Sequence, residues 1–281
     1  MASQDVFNSN ELPLVSIVIP TYNAGHLLER AVRSADRQSY GNIEIVIVDD
    51  CSTDDSIDGI QEKFPSVRIE RTDTNSGSPA RPRNIGCQVA TGSWVAFLDS
   101  DDYWLPNKLE FQLAAVRQNS TLACSTNAIR RTNESGETGE SYLPKPPRFT
   151  NVKSLIEANW IVTSSILIEK KILNEVLPFP ENGPTIYEDY AVWLRLVRLT
   201  ELTFLNEART FYSDEPQFSF RSQHLAHLSM QNTFNDFSNW LLNRGQKLTI
   251  AERLTCIYVK TRSHAHSILN HGRMESNTKR D

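Results

Sequence analysis

Short apolar runs rich in β-branched residues alternate with helical periodicity along the N-terminal part of the chain. Leu14 to Ile19 (LVSIVI) has the length and composition of a strand covered on both faces. A turn at Pro20-Thr21-Tyr22-Asn23 follows. Leu27, Leu28, Ala31, Val32 and Ala35 then recur at helical spacing, which predicts a helix with one buried face. Ile43 to Val48 (IEIVIV) repeats the strand signal and runs into Asp49-Asp50. Ser52-Thr53-Asp54-Asp55 offers capping side chains for a helix reaching Lys63. Val67 to Glu70 is a weaker strand, Ala80 to Ala90 a helix in spite of Pro82, and Trp94 to Leu98 (WVAFL) a fourth strand that ends in Asp99-Ser100-Asp101-Asp102. This alternation predicts an α/β fold, a central, mostly parallel sheet flanked by helices with right-handed crossovers.

Beyond a helix from Pro106 to Gln118 the period changes. Leu122 to Ile129 and Ile161 to Ile168 read as strands, while Arg130 to Phe149 is polar and holds Gly136, Gly139 and three prolines. Glu188 to Leu199 (EDYAVWLRLVRL) reads as a helix with Val192, Leu196 and Leu199 on one stripe. From His224 to His271 the pattern is that of two helices, the first carrying Phe234, Phe237, Trp240 and Leu241. The organisation read from this is a tail over 1–12, a main domain over 13–215 and a C-terminal helical extension over 216–281.

Composition narrows the classes. With 39% apolar and 22% charged residues in 281, the chain can close a hydrophobic core, and disorder, collagen and coiled coil are excluded. The net charge of −5 gives no general attraction for nucleic acid. It is unevenly spread, +5 from Arg244 onward and −10 before it. Cys51, Cys87, Cys124 and Cys256 lie far apart, with no CxxC pair and no zinc spacing, as in a reduced intracellular chain. The opening MASQDVFNSNELP lacks the basic start and apolar stretch of a signal peptide, and no apolar run approaches the ~20 residues that span a bilayer. A cytosolic protein is expected.

The candidate chemistry lies where the strands end. In an open parallel sheet, ligands bind at the carboxyl ends of the strands, and Thr21-Tyr22-Asn23, Asp49-Asp50 and Asp99 to Asp102 follow three of them. Any one cluster could be turn-making alone; three on one rim point to a site. Asp99, Asp101 and Asp102 have no basic neighbour in sequence before Lys108. Like charges so crowded raise one another's pKa unless a cation neutralises them, and a hard divalent ion suits oxygen ligands.

VSIVIPTYN (Val15 to Asn23), IVIVDDCSTDDS (Ile45 to Ser56), RNIGCQVATGSWVAFLDSDD (Arg83 to Asp102) and the later Glu188-Asp189 closely resemble family 2 glycosyltransferases of the GT-A fold. The match covers residues 14 to 110 continuously, plus the island at 188. The resemblance implies a nucleotide-binding half over 13–120 and an acceptor half over 121–215. It puts Pro20 and Tyr22 at the nucleotide, with Tyr22 stacking on the base and Asp50 hydrogen-bonding it. Arg83 falls near the nucleotide and Asp99 at the ribose or sugar. Asp101 and Asp102 become ligands of Mn²⁺ or Mg²⁺, and Asp189 the catalytic base. The implied reaction moves a sugar, with inversion, from a nucleotide-diphosphate donor, UDP-linked by expectation, to a hydroxyl of a saccharide or lipid-linked saccharide in cell-surface polysaccharide synthesis. Cys51 departs from the glycine that many relatives carry, and Pro79 and Pro82 stiffen the loop before Asn84.

Two other readings compete. A sugar-phosphate nucleotidyltransferase would need a glycine-rich phosphate loop with an arginine after the first strand, and PTYNAGHLLER holds one glycine. A non-catalytic sugar-nucleotide binding protein would share the motifs but not turn over donor. An NAD-dependent dehydrogenase is disfavoured by the absence of GxGxxG after the first strand. Glu188 and Asp189 also suit a helix start, where acidic side chains meet the positive end of the dipole. Trp104, Trp160 and Trp193 read first as packing residues and second as a sugar platform. His224, His227, His264, His266 and His271 form no HExxH-like pair, and Ser213 to Gln223 reads equally as a surface loop or as one that closes over the site. From Lys247 to Arg273, Ala251, Leu254, Tyr258, Ala265 and Ile268 share a face, with Arg253, Lys260 and Arg262 elsewhere. This fits a packing helix or a peripheral contact with anionic lipid at the inner face of the plasma membrane.

Overall fold

The computed structural model describes residues 12–132, 136–143, 149–181, 187–213 and 226–261. The elements run β1 (Val15–Thr21), α1 (His26–Asp36), β2 (Ile43–Asp49), α2 (Ile60–Lys63), β3 (Arg68–Arg71), α3 (Ala80–Val89), β4 (Trp94–Phe97), β5 (Tyr103–Trp104), α4 (Lys108–Asn119), β6 (Ala123–Thr132), β7 (Gly136–Ser141) and β8 (Phe149–Thr150). Then come α5 (Val152–Glu157), a 3₁₀ turn (Thr163–Ser165), β9 (Ile166–Glu169), α6 (Lys170–Val176), α7 (Glu188–Leu199), β10 (Leu202–Ser213) and α8 (Ala226–Asn243). Residues 250–261 are also helical.

One ten-stranded sheet carries the order β3-β2-β1-β4-β9-β6-β10-β5, with β7 added to β6 and β8 to β10. Pairing is parallel from β3 through β4 and between β6 and β10. Antiparallel pairing enters where β9 is inserted between β4 and β6. All seven residues of β1 are buried, as its apolar run predicts for a strand covered on both faces. Period-two alternation splits them: Val15, Ile17 and Ile19 join a core with Leu28 and Val32 of α1 and Val116 of α4, while Val18 joins the opposite core beneath α3, α7 and α8.

α3 lies hard against β1. A Cβ on Gly86 would stand 2.3 Å from Val18 Cγ1, so only glycine allows this approach. On the same side, Phe97 and Trp193 meet Phe179 edge-on, with centroids 5.4 and 5.9 Å away. Trp193 is wholly buried and Trp104 nearly so, and both serve packing.

Two expectations change, and one stretch with no predicted element gains one. The helix expected from Ser52 to Lys63 is a single turn, α2. The side chains before it are engaged elsewhere: Ser52 Oγ accepts from Asn23 N–H at 3.0 Å, and Ser56 Oγ accepts from Gly25 N–H at 2.7 Å. Gly59, left-handed at φ +71°, then sets the helix start. The strand expected over Ile161 to Ile168 begins only at Ile166, because Thr163–Ser165 is wound into the 3₁₀ turn. The polar stretch after Ile129 contains the β6–β7 ladder.

Candidate active site

The carboxyl ends of β1, β2 and β4 meet on one rim. Thr21 is in register with Asp49 and buried Pro20 with Val48, and Asp50 N–H donates to Thr21 O at 2.8 Å. Tyr22, just past β1, is 49% exposed, so its ring is open to a ligand. Cys51, two residues beyond β2, is held at φ +66°, the left-handed region that strains a residue with a Cβ and favours glycine.

Asp50 is buried, yet its carboxylate is served by donors. Thr72 Oγ1 donates to Oδ1 at 3.0 Å, and Ser76 gives its N–H and hydroxyl to Oδ2 at 2.9 and 2.8 Å. Oδ1 with one donor keeps a lone pair for a further N–H. Asp49 instead accepts from Ser52 N–H at 2.9 Å and faces Arg71 Nε at 3.4 Å.

Arg83, buried on α3, reaches Asp99 Oδ1 at 2.7 Å with one nitrogen and Glu188 Oε1 at 2.9 Å with another. Burial opposes its charge, but Asp99, Glu188 and Asp189 outweigh that and raise its pKa. Glu188 is pushed up to about 7 by burial and by Asp189, against the pull of Arg83. Asp189 Oδ2 accepts from Thr163 Oγ1 at 2.7 Å. The first two residues of α7 thus face the Asp99 loop, ninety positions upstream in the chain.

Within that loop, burial and Asp99 push Asp101 up to about 6. Burial, Asp101 and Asp99 raise Asp102 well above its ordinary range, against hydrogen bonds from Ser164 and Ser213. Asp102 Oδ1 accepts from Ser213 N–H at 2.8 Å, while its buried Oδ2 has no hydrogen-bond partner among the described residues. Crowded carboxylates and an orphaned oxygen fit a hard divalent cation. Among the described residues no three His, Cys, Asp or Glu side chains gather to hold a metal alone.

Thr72, Ser76, Thr163 and Ser164 are site residues that sequence reasoning missed, since a lone hydroxyl carries no pattern. Apart from Ser213, the segment Ser213 to Gln223 lies outside the described residues, as do His224, His264, His266, His271 and the side chain of His227.

The model of the family "Glycosyl transferase family 2" matches residues 16–177, which hold the strand ends just described. The chain belongs to this family. It is a glycosyltransferase, 34% identical to a glycosyltransferase of Haemophilus influenzae over 197 residues, 69% of this chain and 76% of that one. It is 30% identical over 195 residues to the UDP-Glc:alpha-D-GlcNAc-diphosphoundecaprenol beta-1,3-glucosyltransferase WfgD of Escherichia coli, covering 69% and 73% of the two chains. Among solved structures, Staphylococcus aureus TarS 1-349 in complex with UDP superposes with a TM-score of 0.65 at 21% identity, over 86% of this chain and 68% of that one. The mixed sheet flanked by helices is the GT-A architecture of that enzyme.

Proposed function

We propose that this glycosyltransferase moves a sugar from a UDP-sugar to a hydroxyl of a saccharide or lipid-linked saccharide acceptor, with inversion, in cell-surface polysaccharide synthesis. The observation that carries the reading is the double ion pair of Arg83, which draws Glu188-Asp189 to the Asp99–Asp102 loop. Tyr22 stacks on the base, and Asp50 accepts from it through the free lone pair of Oδ1. Pro20, Arg83 and Asp99 line the nucleotide and sugar. Asp189 takes the proton of the attacking hydroxyl. With Asp189 activating the acceptor hydroxyl directly, attack comes from the face opposite the leaving group. Asp101 and Asp102 would hold Mn²⁺ or Mg²⁺, which supplies Lewis-acid stabilisation of the leaving diphosphate. The relative WfgD, named for a UDP-Glc donor and a diphosphoundecaprenol-linked acceptor, supports this choice of substrates.

Calorimetric titration of UDP, UDP-glucose and UDP-GlcNAc with and without Mn²⁺ tests the donor half. Asp50→Ala should weaken all three alike by ~1.5–3 kcal/mol, the worth of a hydrogen bond to a charged group. Asp101→Ala should abolish the gain from Mn²⁺. Unchanged affinities in both variants would remove these residues from the donor site.

No helix among the described residues is long and apolar enough to cross a membrane. Ile250, Leu254, Ile257 and Tyr258 nevertheless stand 61–79% exposed at helical spacing, beside Arg253 and Lys260. We propose that this stripe rests on anionic lipid at the cytoplasmic face, near a lipid-linked acceptor. Ala265 and Ile268, expected on the same face, lie outside the described residues. Co-sedimentation with phosphatidylglycerol vesicles should be lost in Leu254→Asp. Retention equal to wild type would contradict the contact.

A further inference from the structure

Thr163 and Ser164 are neighbours in the chain, and their hydroxyls serve opposite sides of the candidate site. Thr163 Oγ1 donates to Asp189 Oδ2 at 2.7 Å, and Ser164 Oγ accepts from the backbone N–H of Asp99 at 2.9 Å. Successive Cα atoms are about 3.8 Å apart. The contact to the start of α7 and the contact to the head of the Asp99–Asp102 loop are therefore separated by one peptide unit.

The turn that carries them is gripped from several directions. Trp104 Nε1 and Thr210 Oγ1 donate to Ser164 O at 2.6 and 3.3 Å, from β5 and β10. Gln112 Nε2 of α4 donates to Ser165 O at 2.8 Å, and Ser165 Oγ lies 2.6 Å from both Val162 O and Ser125 Oγ. Thr163, Ser164 and Ser165 are at most 5% exposed. The other oxygen of Asp189 accepts from the adjacent Tyr190 N–H at 2.6 Å, so the Thr163 bond orients the carboxylate from outside its own helix.

We infer that Thr163 and Ser164 are positioning residues for sugar transfer. Thr163 aims the carboxylate that receives the acceptor proton, and Ser164 holds the donor loop at a fixed distance from it. The inference rests on Asp189 being the base. Neither hydroxyl takes the proton, so Thr163 acts through the alignment of Asp189. A misplacement of about 1 Å at a reacting group costs roughly 100-fold in rate.

The test measures release of UDP from UDP-glucose and UDP-GlcNAc with Mn²⁺, water serving as acceptor, in the full chain. Thr163→Val keeps the branched shape and removes the hydroxyl. It should lower kcat roughly 10- to 100-fold with the KM for donor little changed, and Thr163→Ser should restore most of the rate. Ser164→Ala should raise the donor KM roughly 2- to 10-fold, as loss of one ordinary hydrogen bond does. If Thr163→Val does not fold, Thr163→Ala against Thr163→Ser makes the same comparison. Wild-type kcat in Thr163→Val, or equal loss in the Val and Ser variants, beside a slow Asp189→Asn control, overturns this inference alone. A control as fast as wild type overturns the base assignment, and this inference with it.

Discussion

Arg83 and Glu188 stand 105 positions apart in the chain and 2.9 Å apart in space, and the same guanidinium holds Asp99 at 2.7 Å. A lysine in its place could neutralise one carboxylate but not span both, because only the guanidinium presents donors as a fixed fork. Arg83→Ala leaves the half-buried Asp99 and Glu188 without their counter-charge. It should destabilise the fold by ~1–3 kcal/mol, the cost of stranding a partly buried polar group. Urea unfolding measures this, and a midpoint equal to wild type would contradict the bridge.

The raised pKa of Glu188 gives a signed dependence of stability on pH. Its carboxyl titrates near 7 when folded, against an ordinary 4.5, so the folded state binds a proton that the unfolded chain has released in that window. Stability from this group is full below pH 4.5 and declines as pH rises toward 7. Glu188→Gln cannot ionise, so its stability relative to wild type should climb between pH 4.5 and 7.5. Urea unfolding at the two pH values reads the difference, and a difference independent of pH would contradict the assignment.

Cys51 supplies a test of backbone strain. At φ +66° a side chain costs roughly 1–2 kcal/mol, part of which glycine returns through its freer unfolded chain. Cys51→Gly should therefore stabilise by about 0.5–1 kcal/mol, seen as a rise in Tm. A fall in Tm would show that packing of the thiol outweighs the strain.

The parallel half of the fold and its acidic strand ends are legible because burial on both faces forces continuous β-branched runs. The carboxylates then break those runs abruptly, as at Val48-Asp49 and Leu98-Asp99. β10 is harder to see. Its ladder with β6 shifts register between Leu205 and Ala208 and again before Thr210, so no alternation survives along its twelve residues. The error over Ser52 to Lys63 has a related cause. Ser, Thr and Asp side chains cap helices and bridge loops with the same atoms, and here Ser52 accepts from Asn23 N–H while Asp54 and Ser56 accept from Gly25 N–H. The link from Glu188-Asp189 to the Asp99 loop runs through Arg83 and the Thr163–Ser164 turn, contacts that no local pattern encodes.

The proposed mechanism turns on Asp189. Asp189→Asn keeps the size of the side chain and can still accept from Thr163, but it cannot take a proton from the attacking hydroxyl. General-base catalysis contributes ~10²–10⁴-fold. The decisive measurement sets turnover of UDP-sugar by Asp189→Asn beside calorimetry of UDP-sugar and Mn²⁺ binding on the same protein. The expected result is kcat lowered by ~10²–10⁴ with both affinities close to wild type. Turnover at the wild-type rate, or loss of donor binding matching the loss of rate, would contradict it.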